Sequence, residues 1–390
     1  MLPIAAASGW YVARRQESLR KDNPQNPLTT AYRRGIRYLL EEKTDKALET
    51  VGKILAQDSD AREIQLTLGN LYRRRGEVER AIEMHSGLRK QPGLSEEQMA
   101  RADLELGIDF MKAGLFDRAE SLFLGLKGSS AFDREAQQHL LLLYQQQKDW
   151  HKALDCVLTL RRFQKPRHGE TAAHFLCELA DEAMQLHRLK DARDLLGEAL
   201  LDDPRSVRAT ILKGRLEYAN GEYRQAFDTL KSIELQNPAF MAVVITMIGQ
   251  CAGRLGIEDQ FESYLDDLYQ RYRIISAAIE RADRLYLQRG GLEAADYLLP
   301  ILVETPDPLA LNHAIGFLAR DSMSGTQRLR QLQSLLEGAM SGSQKFCCER
   351  CGFGSVDLYW RCPSCRHWGA IRPTGPFSSL IFVEAQDKPD

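Results

Sequence analysis

The chain lacks a surplus of either charge. Fifty-two Lys and Arg stand against 54 Asp and Glu over 390 residues, so a nucleic-acid surface is not the first expectation. Cysteine is scarce too: there are eight, and five crowd into residues 347–365. That crowding argues for a metal site rather than a disulfide framework. Cys156, Cys177 and Cys251 fall in helical segments and read as small buried hydrophobes. No GxxxxGK(S/T), GxSxG or HExxH string occurs, so none of those catalytic motifs points to an enzyme. The apolar run Leu2–Ala13 is short of a span: twelve residues of helix cover about 18 Å against a hydrocarbon core of about 30 Å. Its positive charge (Arg14, Arg15, Arg20, Lys21) comes after the run, whereas a signal peptide carries it in front. Residues 1–15 therefore read as the remnant of an N-terminal transmembrane anchor. Trp10 and Tyr11 would lie at the interface and the arginines would hold the rest of the chain in the cytoplasm. Residues 16–27, ending in DNPQNP, read as a linker.

What the chain has in abundance is one recurring pattern. Leu66–Leu88 reads as two amphipathic helices turning at Gly76, with Gly69 on the first, Ala81 on the second and Tyr72 beside them. Small residues of this kind let helix axes approach to about 8 Å, and the two are expected to face each other. The position of Gly69 recurs at Gly35, Gly107, Leu141, Ala180, Gly214, Gly249 and Asp283, in steps of 34 to 39 residues. The second small slot holds Ala47, Ala81, Ala119, Ala153, Ala192, Ala226, Phe261 and Ala295, and the turn slot holds Gly76, Gly114, Gly221, Gly256 and Gly290. This register resembles the tetratricopeptide repeat. The expected fold is an all-α tetratricopeptide-repeat solenoid over 28–340, eight units and a capping helix pair around Gly316. A small C-terminal metal knuckle domain with its tail fills 345–390. Arg73, Arg74 and Arg75 read as a solvated turn. The eight histidines (His85, His139, His151, His168, His174, His187, His313 and His367) are scattered over unrelated positions and read as surface or packing residues.

Two CxxC knuckles carry the chemistry. Cys348 and Cys351 form the first, Cys362 and Cys365 the second, with ten residues between them. Two intervening residues let both sulfurs of a knuckle turn to one ion, and Gly352 allows the tight backbone that points amides at sulfur. Facing knuckles make a closed tetrahedral site suited to one iron ion, with zinc as the alternative. Cys347 is spare. Four thiolates leave no open position for water, so a hydrolytic role is not expected. CERCGF and CPSC resemble rubredoxin knuckles, with a connecting segment nearer that of a zinc ribbon. Tyr359, Trp360 and Trp368 are expected to shield the metal and to dock the knuckle on the last helices.

An apolar N-terminus, these repeats and this knuckle together resemble the lipopolysaccharide assembly protein B family, on the strings GNLYRRRGEVERAI (Gly69–Ile82) and LYWRCPSCRHW (Leu358–Trp368). The resemblance implies a non-enzymatic inner-membrane protein of Gram-negative bacteria with its bulk in the cytoplasm. It implies an adaptor that helps the protease FtsH degrade the deacetylase LpxC, alongside other lipopolysaccharide assembly proteins. The charge balance leaves no nucleic-acid partner expected, and a homodimer stays open. The rival readings are a general assembly scaffold, a rubredoxin-type electron carrier, and a zinc-ribbon nucleic-acid binder using Lys345, Arg350, Arg361, Arg366 and Arg372.

Overall fold

The computed structural model describes residues 62–128, 131–161, 169–321, 326–340 and 344–374. The anchor and linker expected at 1–27, the repeat around Gly35 and Ala47, and the joint at 341–343 lie outside the described residues. Contacts divide the chain into two units, 1–165 and 166–390.

Among the described residues of the first unit three antiparallel helix pairs follow one another: α1 (Arg62–Arg75) with α2 (Val78–Arg89), α3 (Glu96–Lys112) with α4 (Phe116–Gly125), and α5 (Asp133–Gln147) with α6 (Trp150–Leu160). Ser95 starts α3 with a capping box, its side chain accepting from the Gln98 amide while the Gln98 side chain accepts from the Ser95 amide. The second unit continues with α7 (Gly169–Gln185) and α8 (Leu189–Asp202), then α9 (Val207–Ala219) and α10 (Tyr223–Lys231). A short helix α11 (Ile233–Gln236) and a 3-10 turn (Pro238–Phe240) lead into α12 (Met241–Leu255) and α13 (Glu258–Tyr272). Then come α14 (Ile275–Arg289) with α15 (Gly291–Glu304), and α16 (Pro308–Asp321) with α17 (Thr326–Met340). Among the described residues Pro238–Leu255 is the one helical stretch long and apolar enough to span a membrane. Its Met241, Val244, Ile245 and Ile248 are buried in the core of this unit, which accounts for the apolarity.

The same turn recurs with and without glycine. Among the described repeats the residue seven past the reference position has positive φ at Gly76 (+88°), Gly114 (+76°), Gly221 (+78°) and Gly256 (+66°), whereas Gly290 (+98°) departs from that turn with an extended ψ of 177°. Where glycine lapses, Lys148 (59°) and His187 (57°) take the same left-handed conformation, at a steric cost that glycine escapes.

The helix contact differs from its expected form. A Cβ on Gly107 would come within 2.5 Å of the Phe123 ring, and one on Gly214 within 2.5 Å of Leu230, while one on Gly69 would strike the His85 imidazole. Each partner lies one turn beyond the small residue expected to face the glycine. Ala81, Ala119 and Ala226 are nonetheless fully buried. The reason is that side chains lean toward the helix N-terminus, so a residue one turn later covers the gap. In the last regular repeat the buried small residue is Ala282, not Asp283, whose carboxylate lies 3.4 Å from the half-buried His313.

Arg73 is not solvated. Its guanidinium is 2.5 Å from Glu105 and 2.8 Å from the fully buried Asp109, both on the next repeat. Asp109 also accepts from His85 Nδ1 at 2.5 Å. A buried carboxylate requires such partners, so the arginine and the histidine that fills the Gly69 gap join two repeats.

Candidate metal centre

The knuckle is built on a three-stranded antiparallel sheet with β1 (Phe346–Cys348) between β2 (Gly354–Ser355) and β3 (Ile371–Pro373). Alternation along β1 decides between the adjacent cysteines: Cys348 is buried, and Cys347 points to the other face. The two knuckles repeat one backbone design. The Cys348 amide donates to the Phe353 carbonyl and the Gly352 amide to the Cys348 carbonyl, each at 2.9 Å. In the second knuckle the Cys362 amide donates to the His367 carbonyl and the Arg366 amide to the Cys362 carbonyl, again at 2.9 Å. The fourth residue after each first cysteine is left-handed: Gly352 at 72°, and Arg366 at 60° without the relief of glycine.

This geometry brings together all four expected ligands. The sulfurs of Cys348, Cys351, Cys362 and Cys365 lie within 4.8 Å of one another. Across the knuckles Cys348 is 3.7 Å from Cys365, and Cys351 is 3.6 Å from Cys362. A regular tetrahedron with metal–sulfur bonds of about 2.3 Å has edges of about 3.8 Å, so the donor set fits zinc or iron. The Phe353 amide donating to Cys351 sulfur, with the neighbouring thiols, pulls that thiol down to about 6. At Cys365 the His367 amide acts in the same direction, but desolvation and the other three thiols outweigh it and hold the thiol at about 11. Arg350 donates to His367 Nε2 at 3.1 Å, which leaves His367 Nδ1–H to donate to the Cys365 carbonyl at 3.1 Å. Cys156 and Cys177 lie elsewhere, buried, with thiols pushed up to about 12 by desolvation.

Residues 346–373 match the family described as rubredoxin metal binding domain, and residues 32–85 and 177–239 match the tetratricopeptide repeat. Lipopolysaccharide assembly protein B of Escherichia coli strain K12 is 33% identical over 375 residues, covering 96% of this chain and 96% of the relative. The Haemophilus influenzae protein of the same name is 31% identical over 383 residues, with 96% of each chain covered. The chain belongs to the lipopolysaccharide assembly protein B family.

In this family member the knuckle docks on the repeats, but not on the last helices. The Trp368 ring stacks on His174 at 5.1 Å and meets Phe175 edge-on at 5.7 Å, both on α7. Trp360 stacks on Phe240 at 5.7 Å, in the 3-10 turn before α12. Arg208 of α9 lies between them, 6.0 Å from the Trp360 ring and 5.9 Å from that of Trp368. Tyr359 is exposed and takes no part in this packing. Of the basic residues on the knuckle, Arg372 lies over Phe240 and takes part in the docking, while Arg361 lies over Trp368 within the knuckle. Sequence reasoning passed over His174, Phe175, Arg208 and Phe240. The available signal was that His174 and Arg208 stand at the same repeat position, 34 residues apart, and that neither suits a generic helix face. Burial, then the charges of Arg208 and Arg372, hold the His174 imidazole neutral down to about 3.

Proposed function

We propose that this protein is a membrane-tethered cytoplasmic adaptor that regulates lipopolysaccharide synthesis by promoting degradation of the deacetylase LpxC by the membrane protease FtsH. The observation that carries this reading is the near full-length relationship to proteins named for lipopolysaccharide assembly, spanning both repeats and knuckle. Stacked helix pairs offer extended surfaces for protein partners, which suits presentation of a substrate to a protease. A membrane anchor that includes the apolar segment Leu2–Ala13 would hold the protein at the inner membrane, beside FtsH and other lipopolysaccharide assembly proteins.

The protein itself performs no bond chemistry in this reading. Cys348, Cys351, Cys362 and Cys365 hold one ion, iron or zinc, and four sulfur ligands leave no open position for water or substrate. The centre is structural, since a segment of this size has too little core to stay folded otherwise. The test is reconstituted degradation of LpxC by FtsH. Adding the protein should accelerate it equally in iron-loaded and zinc-loaded form, and Cys362→Ser should abolish the gain. No effect of the intact protein refutes the adaptor. Stimulation confined to one oxidation state of the iron form replaces the structural centre with a redox sensor.

A further inference from the structure

Arg208 sits on a repeat helix, remote in sequence from the thiols, with its side chain almost wholly buried. One Nη donates to Glu178 at 3.0 Å and the other to the His174 carbonyl at 3.3 Å. Its guanidinium carbon lies over two indoles that bracket the second knuckle, Trp360 two residues before Cys362 and Trp368 three after Cys365. The backbone ties those indoles together: Arg361 bridges to Trp368, and the Gly369 amide donates to the Trp360 carbonyl at 2.8 Å. Gly369 leaves the space His174 fills, since a Cβ there would come within 3.0 Å of its Nε2. Both rings can therefore meet one guanidinium only while the turn carrying Cys362 and Cys365 is closed. The buried core of the knuckle is Cys348, Cys362, Ala370 and Ile371, so two of its four members are themselves ligands. Opening the site dissolves the core that presents the indoles.

We propose that Arg208 is a positioning residue for the metal centre, and that docking of Trp360 and Trp368 on it is coupled to metal retention. A guanidinium favours the indole faces by its charge and its flat shape, so it selects the closed knuckle. By linkage, whatever favours the closed knuckle tightens the metal, and the metal in turn stabilises the helices that bear Arg208, His174 and Phe240. The inference rests on the four-thiol metal reading and is independent of any role in LpxC degradation.

The test uses the full-length zinc-loaded protein and a chromophoric zinc chelator in excess. One bound zinc in the unaltered protein is the starting condition, and its absence overturns the metal reading itself. Arg208→Ala should weaken zinc binding by about fivefold to a hundredfold, the span usual for coupled sites, and release zinc faster by up to that factor. Arg208→Lys, which keeps the charge without the flat face, should fall between. Release from Arg208→Ala at the unaltered rate overturns the coupling while leaving the metal site intact. The reciprocal measurement needs no substitution, and it decides the matter if Arg208→Ala fails to fold. Removing zinc from the unaltered protein should increase amide hydrogen exchange across Gly169–Gln185 and Val207–Ala219 about as strongly, and unchanged exchange there overturns the proposal.

Discussion

Gly214 and Leu230 allow the helix contact to be tested quantitatively. A Cβ built on Gly214 lies 2.5 Å from Leu230 Cδ2 and 2.6 Å from its Cγ, whereas carbon atoms rest about 3.5–4.0 Å apart. Leu230 is fully buried among Ile211, Ala226, Phe240 and Ile248 and cannot swing aside. Gly214→Ala must therefore part the helices or force the leucine off its rotamer, at about 1–3 kcal/mol. Leu230→Ala alone opens a cavity and costs about 2–5 kcal/mol. Together the changes should not add. The new methyl group occupies part of the space the leucine vacates, so the double variant should cost no more than Leu230→Ala, a coupling of about 1–3 kcal/mol. Stacked repeats need not unfold in one step. Urea titration of the metal-loaded chain should accordingly be followed by hydrogen exchange within Val207–Ala219 and Tyr223–Lys231. Additivity to within about 0.5 kcal/mol would refute the contact as described.

Lys148→Gly and His187→Gly should each raise stability by about 1 kcal/mol, because both residues hold a left-handed turn that glycine adopts without strain; thermal melts of the single variants check this. Cys347→Ser should keep full metal content, whereas Ser at Cys348, Cys351, Cys362 or Cys365 should lose it, as read by elemental analysis. His174 stays neutral in the folded chain down to about 3, while an unfolded histidine protonates near 6.5. Its contribution is thus complete above about pH 6.5 and falls by at most about 1.4 kcal/mol per unit as pH drops below that value. His174→Phe should flatten that slope between pH 6.5 and 5 in urea titrations where zinc stays bound. Extending Leu2–Ala13 with further apolar residues to a full span of about 20 should move the protein from the soluble to the membrane fraction in alkaline carbonate extraction, and complete release of the extended form would refute the tether.

The repeat register was legible in the sequence because each helix pair solves the same packing problem, so the same residue types return every 34 residues or so. The four-cysteine cluster was legible for a local reason: two residues between cysteines already orient both sulfurs, and partners so close along the chain need no tertiary information. Period and spacing stop short of contacts made once. Which side chain fills the gap at Gly69 or Gly107 depends on the tilt of side chains across the crossing, so His85 and Phe123 took the places expected of Ala81 and Ala119. Arg73 looked like part of a solvated run until the next repeat brought Asp109 beside it, 36 residues on. The choice between Cys347 and Cys348 as ligand became a matter of sheet face once β1 was paired on both sides. The seat of the knuckle was least legible of all. The end of the stack was nearest along the chain, but the indoles of Trp360 and Trp368 settle where a buried cation and aromatic rings match them, at Arg208, Phe175 and Phe240. Sequence alone determined the modules and the grouping of the four cysteines, because those rest on repetition and short-range geometry. Tertiary structure decided how the knuckle is held, because that rests on a single complementary match between distant segments.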